Sequence, residues 1–315
     1  VPAGILLLLV VTPRLYAAPY RFLVQDNPFA YPPPSVRYLQ HHLPPHRRVT
    51  ADFCRYRGGR LSGYTLLSPN QGVVWGLRDA RLCNPSWLST YRDLSRWWTA
   101  IDNGFTTSSF CLAGGRFLSW LGVSYVAVPH GDEAGKGMTL VFRGDPADIW
   151  KVAGHPSRAR MVYSWVRCDD PYQAARLSRE GLTRPQTTFR LPVGGLAGSG
   201  APPKRVPIWN IQWLEDGMDT VRLEVRTSQA GLLFLADSDA PGWGASLDGH
   251  RTRIYRAMGA FRAVRIPAGR HLVLMKYRGN GFRTGALLTL LAILALVAAL
   301  AGPPVRRAML TRRRE

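Results

Sequence analysis

No charged residue interrupts the chain between Arg283 and Arg306, and residues 286–300 are almost wholly Ala, Leu, Ile and Val. As a helix this run rises roughly 33 Å, close to the ~30 Å hydrocarbon thickness of a bilayer. A helix buried in a protein core seldom stays apolar on every face for so long. The expectation is a transmembrane helix over 281–304. Pro303 and Pro304 stop it, and Arg306, Arg307, Arg312, Arg313 and Arg314 follow with only Glu315 opposing them. By the positive-inside bias this tail, 305–315, is cytoplasmic and residues 14–280 are extracytoplasmic, in a bacterial cell membrane protein.

At the other end, residues 4–11 (GILLLLVV) are equally apolar but cover only about 12 Å of helix, too little to span. Two readings fit: the truncated end of a longer transmembrane helix over 1–13, or a signal-peptide core ending near Ala17 and Ala18. The chain opens on Val1 with no basic segment ahead of the apolar run. That favours the cut helix, hence a multi-pass protein whose catalytic part lies upstream. Residues 14–46 are Pro-rich and read as a lead-in from the membrane, with a short helix at 35–42.

The net charge is +21, carried mostly by Arg, with Lys only at 136, 151, 204 and 276. No nucleic-acid motif accompanies it, so nucleic acid is not an expected partner; a basic surface beside a membrane instead attracts anionic headgroups or a phosphate-bearing lipid. Cys54, Cys83, Cys111 and Cys168 lack zinc-site spacing, which leaves one structural disulfide or buried thiols. His41, His42 and His46 sit in a proline-broken loop with no nearby carboxylate, a poor metal site. No nucleophile elbow, Walker loop, zinc-protease or dinucleotide signature is present, and no catalytic or metal-binding residue is assigned.

Short apolar runs between 47 and 193 alternate between helical and strand spacing. Residues 88–98 read as helical, 117–128 (FLSWLGVSYVAV) as a helix turning into a strand, and 171–179 as a helix between strand-like runs. This is an α+β extracytoplasmic domain. A Gly/Pro-rich connector covers 194–203. Beyond it the period becomes two: Val221, Leu223 and Val225 share one face of a strand, Arg222, Glu224 and Arg226 the other. Further short strands, separated by Gly, Asp-Gly and Pro-Ala-Gly turns, make 204–280 an antiparallel β-sandwich (jelly-roll-like) module that feeds into the transmembrane helix.

Residues 237–249 (DSDAPGWGASLDG), 256–269 (RAMGAFRAVRIPAG) and 271–277 (HLVLMKY) resemble, in order and spacing, the bacterial membrane proteins of the YfhO family. PNQGVVWGLRDARLCNPSWLSTYRDL, FLSWLGVSYVAV and WKVAGHPSRARMVYSWVRCDDPYQAARL are similar to earlier segments of that family. The order of segments carries the likeness, which extends from about residue 25 to 300. Ala240 stands where an aromatic is usual, and Arg278-Gly279 lacks a common proline; both departures bear on the subfamily. The resemblance implies a relative of GT-C membrane glycosyltransferases. These transfer a polyprenyl-phosphate-linked sugar onto an envelope glycopolymer or lipid, with an acidic residue of an early external loop as base or as ligand of a divalent metal. The partners it implies are the bilayer, the lipid-linked sugar donor and the glycopolymer.

Within this chain the candidate binding residues are Arg78, Asp79, Arg81, Asp237, Asp239, Trp243 and Asp248. Carboxylates and an indole near turns can bind sugars, and an Arg pair can grip a phosphate. Each has a structural counterpart: Pro241-Gly242-Trp243 as a sharp turn plugging the sandwich core, Asp248-Gly249 as a hairpin turn, and the Arg78-Asp79-Arg81 group as internal ion pairs. A non-catalytic, membrane-anchored carbohydrate-binding or structural module is the alternative to the glycosyltransferase reading.

Overall fold

The structure, a computed structural model, describes residues 31–51, 71–80, 114–144, 147–183, 189–198, 200–279 and 281–301. Helix α1 (Pro34–His42) is placed by Pro34, whose fixed φ suits the first helical turn. Strand β1 (Arg48–Ala51) and the short α2 (Gln71–Val74) follow. Then come α3 (Gly115–Trp120), β2 (Val123–Pro129), β3 (Met138–Phe142) and β4 (Ala147–Val152). These strands form a sheet ordered β1-β2-β4-β3, parallel between β1 and β2 and antiparallel elsewhere. Every residue of β2 is buried, which is why VSYVAVP reads as a continuous apolar run and not as an alternating one. The expected helix at 88–98 and Cys54, Cys83, Cys111 and Arg81 lie outside the described residues.

The chain continues through β5 (Ala159–Val162), β6 (Trp165–Arg167), α4 (Pro171–Thr183) and β7 (Leu191–Gly194). Beyond the connector come β8 (Trp209–Asp216), β9 (Thr220–Thr227), β10 (Gly231–Ser238), β11 (Trp243–Leu247) and β12 (His250–Thr252). The last strands are β13 (Tyr255–Ala257), β14 (Phe261–Ile266) and β15 (Gly269–Tyr277). A six-stranded sheet, β5-β10-β14-β13-β7-β6, and a five-stranded one, β12-β11-β15-β9-β8, result. The six-stranded sheet draws strands from both sides of the 194–203 connector, so the two regions share one sheet. Sequence periodicity assigns a strand's faces but not its neighbours.

The five- and six-stranded sheets form a sandwich-like module. Val221, Leu223, Val225, Val273 and Met275 of one sheet share a core with Met161, Leu233, Leu235, Val264 and Ile266 of the other. The opposite face of the six-stranded sheet, with Val193, Leu232, Phe234 and Ala263, packs on Phe117, Leu118 and Leu121, Val126 of β2 and Leu182 of α4. Buried on both faces, β10 is the central slab of the fold. The mostly β composition, with few helices, narrows the α+β expectation for the first region.

Helix α5 (Phe282–Ala301) follows β15 closely. Its Leu287, Leu291, Leu294 and Val297 are each more than half exposed. Among the described residues, no helix is long and apolar enough to cross a membrane. The C-terminal transmembrane helix expected from the sequence is thus present as a helix, without support as a span.

Candidate functional site

Two carboxylates at adjoining strand ends organise the charge of the interior. Asp237, near the end of β10, takes Arg48 Nη2 of β1 at 2.5 Å, Arg158 Nη2 just before β5 at 3.0 Å and Arg262 Nη2 of β14 at 3.1 Å. Asp216, the last residue of β8, takes Arg158 Nη1 at 3.0 Å, Arg78 at 2.7 Å and His46 Nδ1 at 2.7 Å. Arg158 thus bridges both acids and, with its side chain only 4% exposed, ties the six-stranded sheet to the five-stranded one. Burial alone would raise the Asp237 carboxyl; the charges of Arg48, Arg158 and Arg262 outweigh it and hold the group far below the ordinary carboxylate range. Asp216 is shifted the same way, against its own burial, by His46 and Arg158. Burial pushes the Arg262 guanidinium down to about 10, which still leaves it charged at neutral pH.

Aromatic rings cap this cluster. Arg262 lies 3.7 Å from the ring centroid of Trp243, and Arg158 lies 4.6 Å from that of Trp213, whose ring also stacks on His46 at 4.8 Å. Cation–π contact of this kind shields buried guanidinium groups that find no further acceptor.

Three of the residues singled out in the sequence therefore bear on this cluster: Arg78 and Asp237 as ion-pair members and Trp243 as a lid. Asp79 makes a parallel bridge to Val49, next to Arg48. Asp239 pairs with Arg256 at 3.2 Å and, with Trp243, Arg251 and Arg253, lines a depression of about 500 Å³. Asp248 stands apart: with Gly249 it forms the two-residue β11–β12 turn, both at positive φ, and it accepts from Leu272 N and pairs with His271 Nδ1 at 2.7 Å. Arg48, Arg158, Asp216 and Arg262 carry no motif, and their partners are far off in sequence. His46 reaches Asp216, while His42 Nδ1 meets its own helix at Tyr38 O. Cys168 is a buried free thiol, raised chiefly by burial.

Beside the cluster, a groove of about 700 Å³ opens between β5 and β8, the edge strands of their two sheets. It is lined by Trp120, Tyr163, Phe189, Trp209 and Trp213 together with Arg47 and Arg160. Arg160 donates from Nη2 to Ser119 O and Ser157 O and lies 4.4 Å from the Trp120 centroid.

The fold and cluster define a sandwich-like β-domain, locked by buried charge, whose last strand leads into an apolar helix. Residues 213–289 match the family model of the bacterial membrane protein YfhO, from within β8 through β15 into α5. That match supports a membrane location. No curated protein and no solved structure matches the chain.

Proposed function

We propose that this chain is the extracytoplasmic C-terminal part of a membrane glycosyltransferase that takes its sugar from a polyprenyl-phosphate donor and passes it to an envelope glycopolymer or lipid. In this reading 281–304 anchors the β-domain in the bilayer, the tail is cytoplasmic, and the transfer chemistry, with any divalent metal, belongs to other parts of the protein. The observation that carries it is the match over 213–289, which runs without a break from the sandwich into α5. The chemistry of this chain agrees: Asp237 and Asp216 are saturated by arginines, and a carboxylate held so far below neutrality is a poor general base. The β-domain therefore positions and stabilises.

The aromatic groove favours a second reading, a membrane-anchored carbohydrate-binding module without transferase activity. Membranes containing the full-length protein, given a radiolabelled polyprenyl-phosphate sugar and envelope polymer, separate the two. Incorporation that depends on the protein supports the transferase; incorporation indifferent to it leaves the binding module.

A further inference from the structure

The groove between β5 and β8 holds positive charge without a matching acid. Arg160 has its Nε fully enclosed with no acceptor, although its Nη2 is satisfied by two carbonyls. Arg47, half-buried on the same wall, has no side-chain hydrogen bond or ion pair among the described residues. Burial and the neighbouring Arg47 together push Arg160 down to about 10, a repulsion that a bound anion would relieve. Each of the other arginines buried nearby, Arg48, Arg158 and Arg262, has its carboxylate in place.

One aromatic of the lining is likewise without a partner. Trp213 has both ring faces taken, by His46 and Arg158, but Trp209 is 40% exposed and makes no ring contact among the described residues. An aromatic face and two guanidinium groups without acids are the complement of a sugar ring that carries an oxyanion.

We propose that this groove binds an anionic saccharide, its phosphate or carboxylate on Arg160 and Arg47 and its ring on Trp209. The assignment deepens the carbohydrate-binding reading above, resting on it only for the saccharide's source. Binding is measured without transfer, so the two can fail separately. The test is calorimetric titration of the full chain in nanodiscs with glucose 1-phosphate, glucuronate, glucose and inorganic phosphate. Expected is saturable binding of at least one charged sugar, with glucose and inorganic phosphate each weaker by about tenfold. Arg47→Gln and Trp209→Ala, neither of which removes a fold contact described above, should each weaken it by about tenfold at unchanged melting temperature. Binding of glucose 1-phosphate alone assigns phosphate, and of glucuronate alone carboxylate; either upholds the site. No saturable binding, binding untouched by both substitutions, or inorganic phosphate binding as tightly as glucose 1-phosphate overturns it.

Discussion

Asp237 shows how a residue with the look of a ligand-binding carboxylate becomes a structural one. In sequence it stands in a turn-rich segment beside an indole. In the fold, Arg48 and Arg158 arrive from 189 and 79 positions away. Three guanidinium groups then surround one carboxylate in a buried setting, and removing the acid leaves their charge uncompensated. Asp237→Asn should destabilise the domain by about 3–5 kcal/mol in chemical denaturation; a loss below about 1 kcal/mol would mean that water or rearrangement compensates the arginines. The pH dependence has a definite sign. Asp237 and Asp216 titrate below their unfolded values, so their contribution is complete above about pH 4 and is lost as pH falls through the folded-state values. Melting temperature should therefore be insensitive to these acids near neutrality and should drop in acid. In Asp237→Asn it should begin lower and fall less steeply, and parallel curves for the two proteins would refute the assignment.

At the scale of elements, the Pro241-Gly242-Trp243 turn joins β10 to β11 and sets the height at which Trp243 covers Arg262. Gly242 has φ +110°, and a Cβ there would stand 2.7 Å from Arg278 O and 2.9 Å from the Tyr277 ring. Neither the backbone nor the carbonyl of β15's exit can give way cheaply. Gly242→Ala is expected to cost about 1–3 kcal/mol. Gly244→Ala, two residues on, meets nothing nearer than Lys276 O at 3.9 Å and should stay within about 0.5 kcal/mol by the same melt; equal losses at both sites would refute the argument. This turn, the Asp248-Gly249 hairpin and the alternation of β9 were legible because each is local: φ preference and period two are properties of a few consecutive residues. What was not legible is non-local. Nothing in WGASLDG or RTRIYRAM says that β11 and β12 join the five-stranded sheet while β13 crosses to the six-stranded one, between β14 and β7. The groove's Arg160 was missed for the same reason. It sits one position from Ala159 in an ordinary strand, and only β8 and the connector, brought across by the fold, make a wall opposite it. The clue within reach was the excess of arginine over acid, read there as a global charge and not as an unpaired one.

For the molecule as a whole, the decisive relation is between the sandwich and α5. β15 ends at Tyr277 and α5 begins at Phe282, so a short connection couples the helix to the sandwich. The apolar side chains of α5 are exposed around its circumference, and water is a poor solvent for such a surface. Under the topology proposed above, a bilayer removes that cost and puts Met218, wholly exposed on the β8–β9 hairpin, on the side opposite residues 305–315. Topology labelling in intact cells tests this directly. Met218→Cys should react with a membrane-impermeant maleimide above the background of the unsubstituted chain, and Thr311→Cys only after the cells are permeabilised. Leu291→Lys, at the middle of α5, adds about 2.5–3.5 kcal/mol to insertion and should expose Thr311→Cys to the external reagent in a measurable fraction of molecules. Because Leu291 is 52% exposed, the same substitution has no packed partner to lose, and the melting temperature of the β-domain should not move. Labelling of Thr311→Cys from outside in the unsubstituted helix would overturn the span. It would leave α5 lying on the membrane surface or against another part of the protein, with the sandwich held to the bilayer from elsewhere.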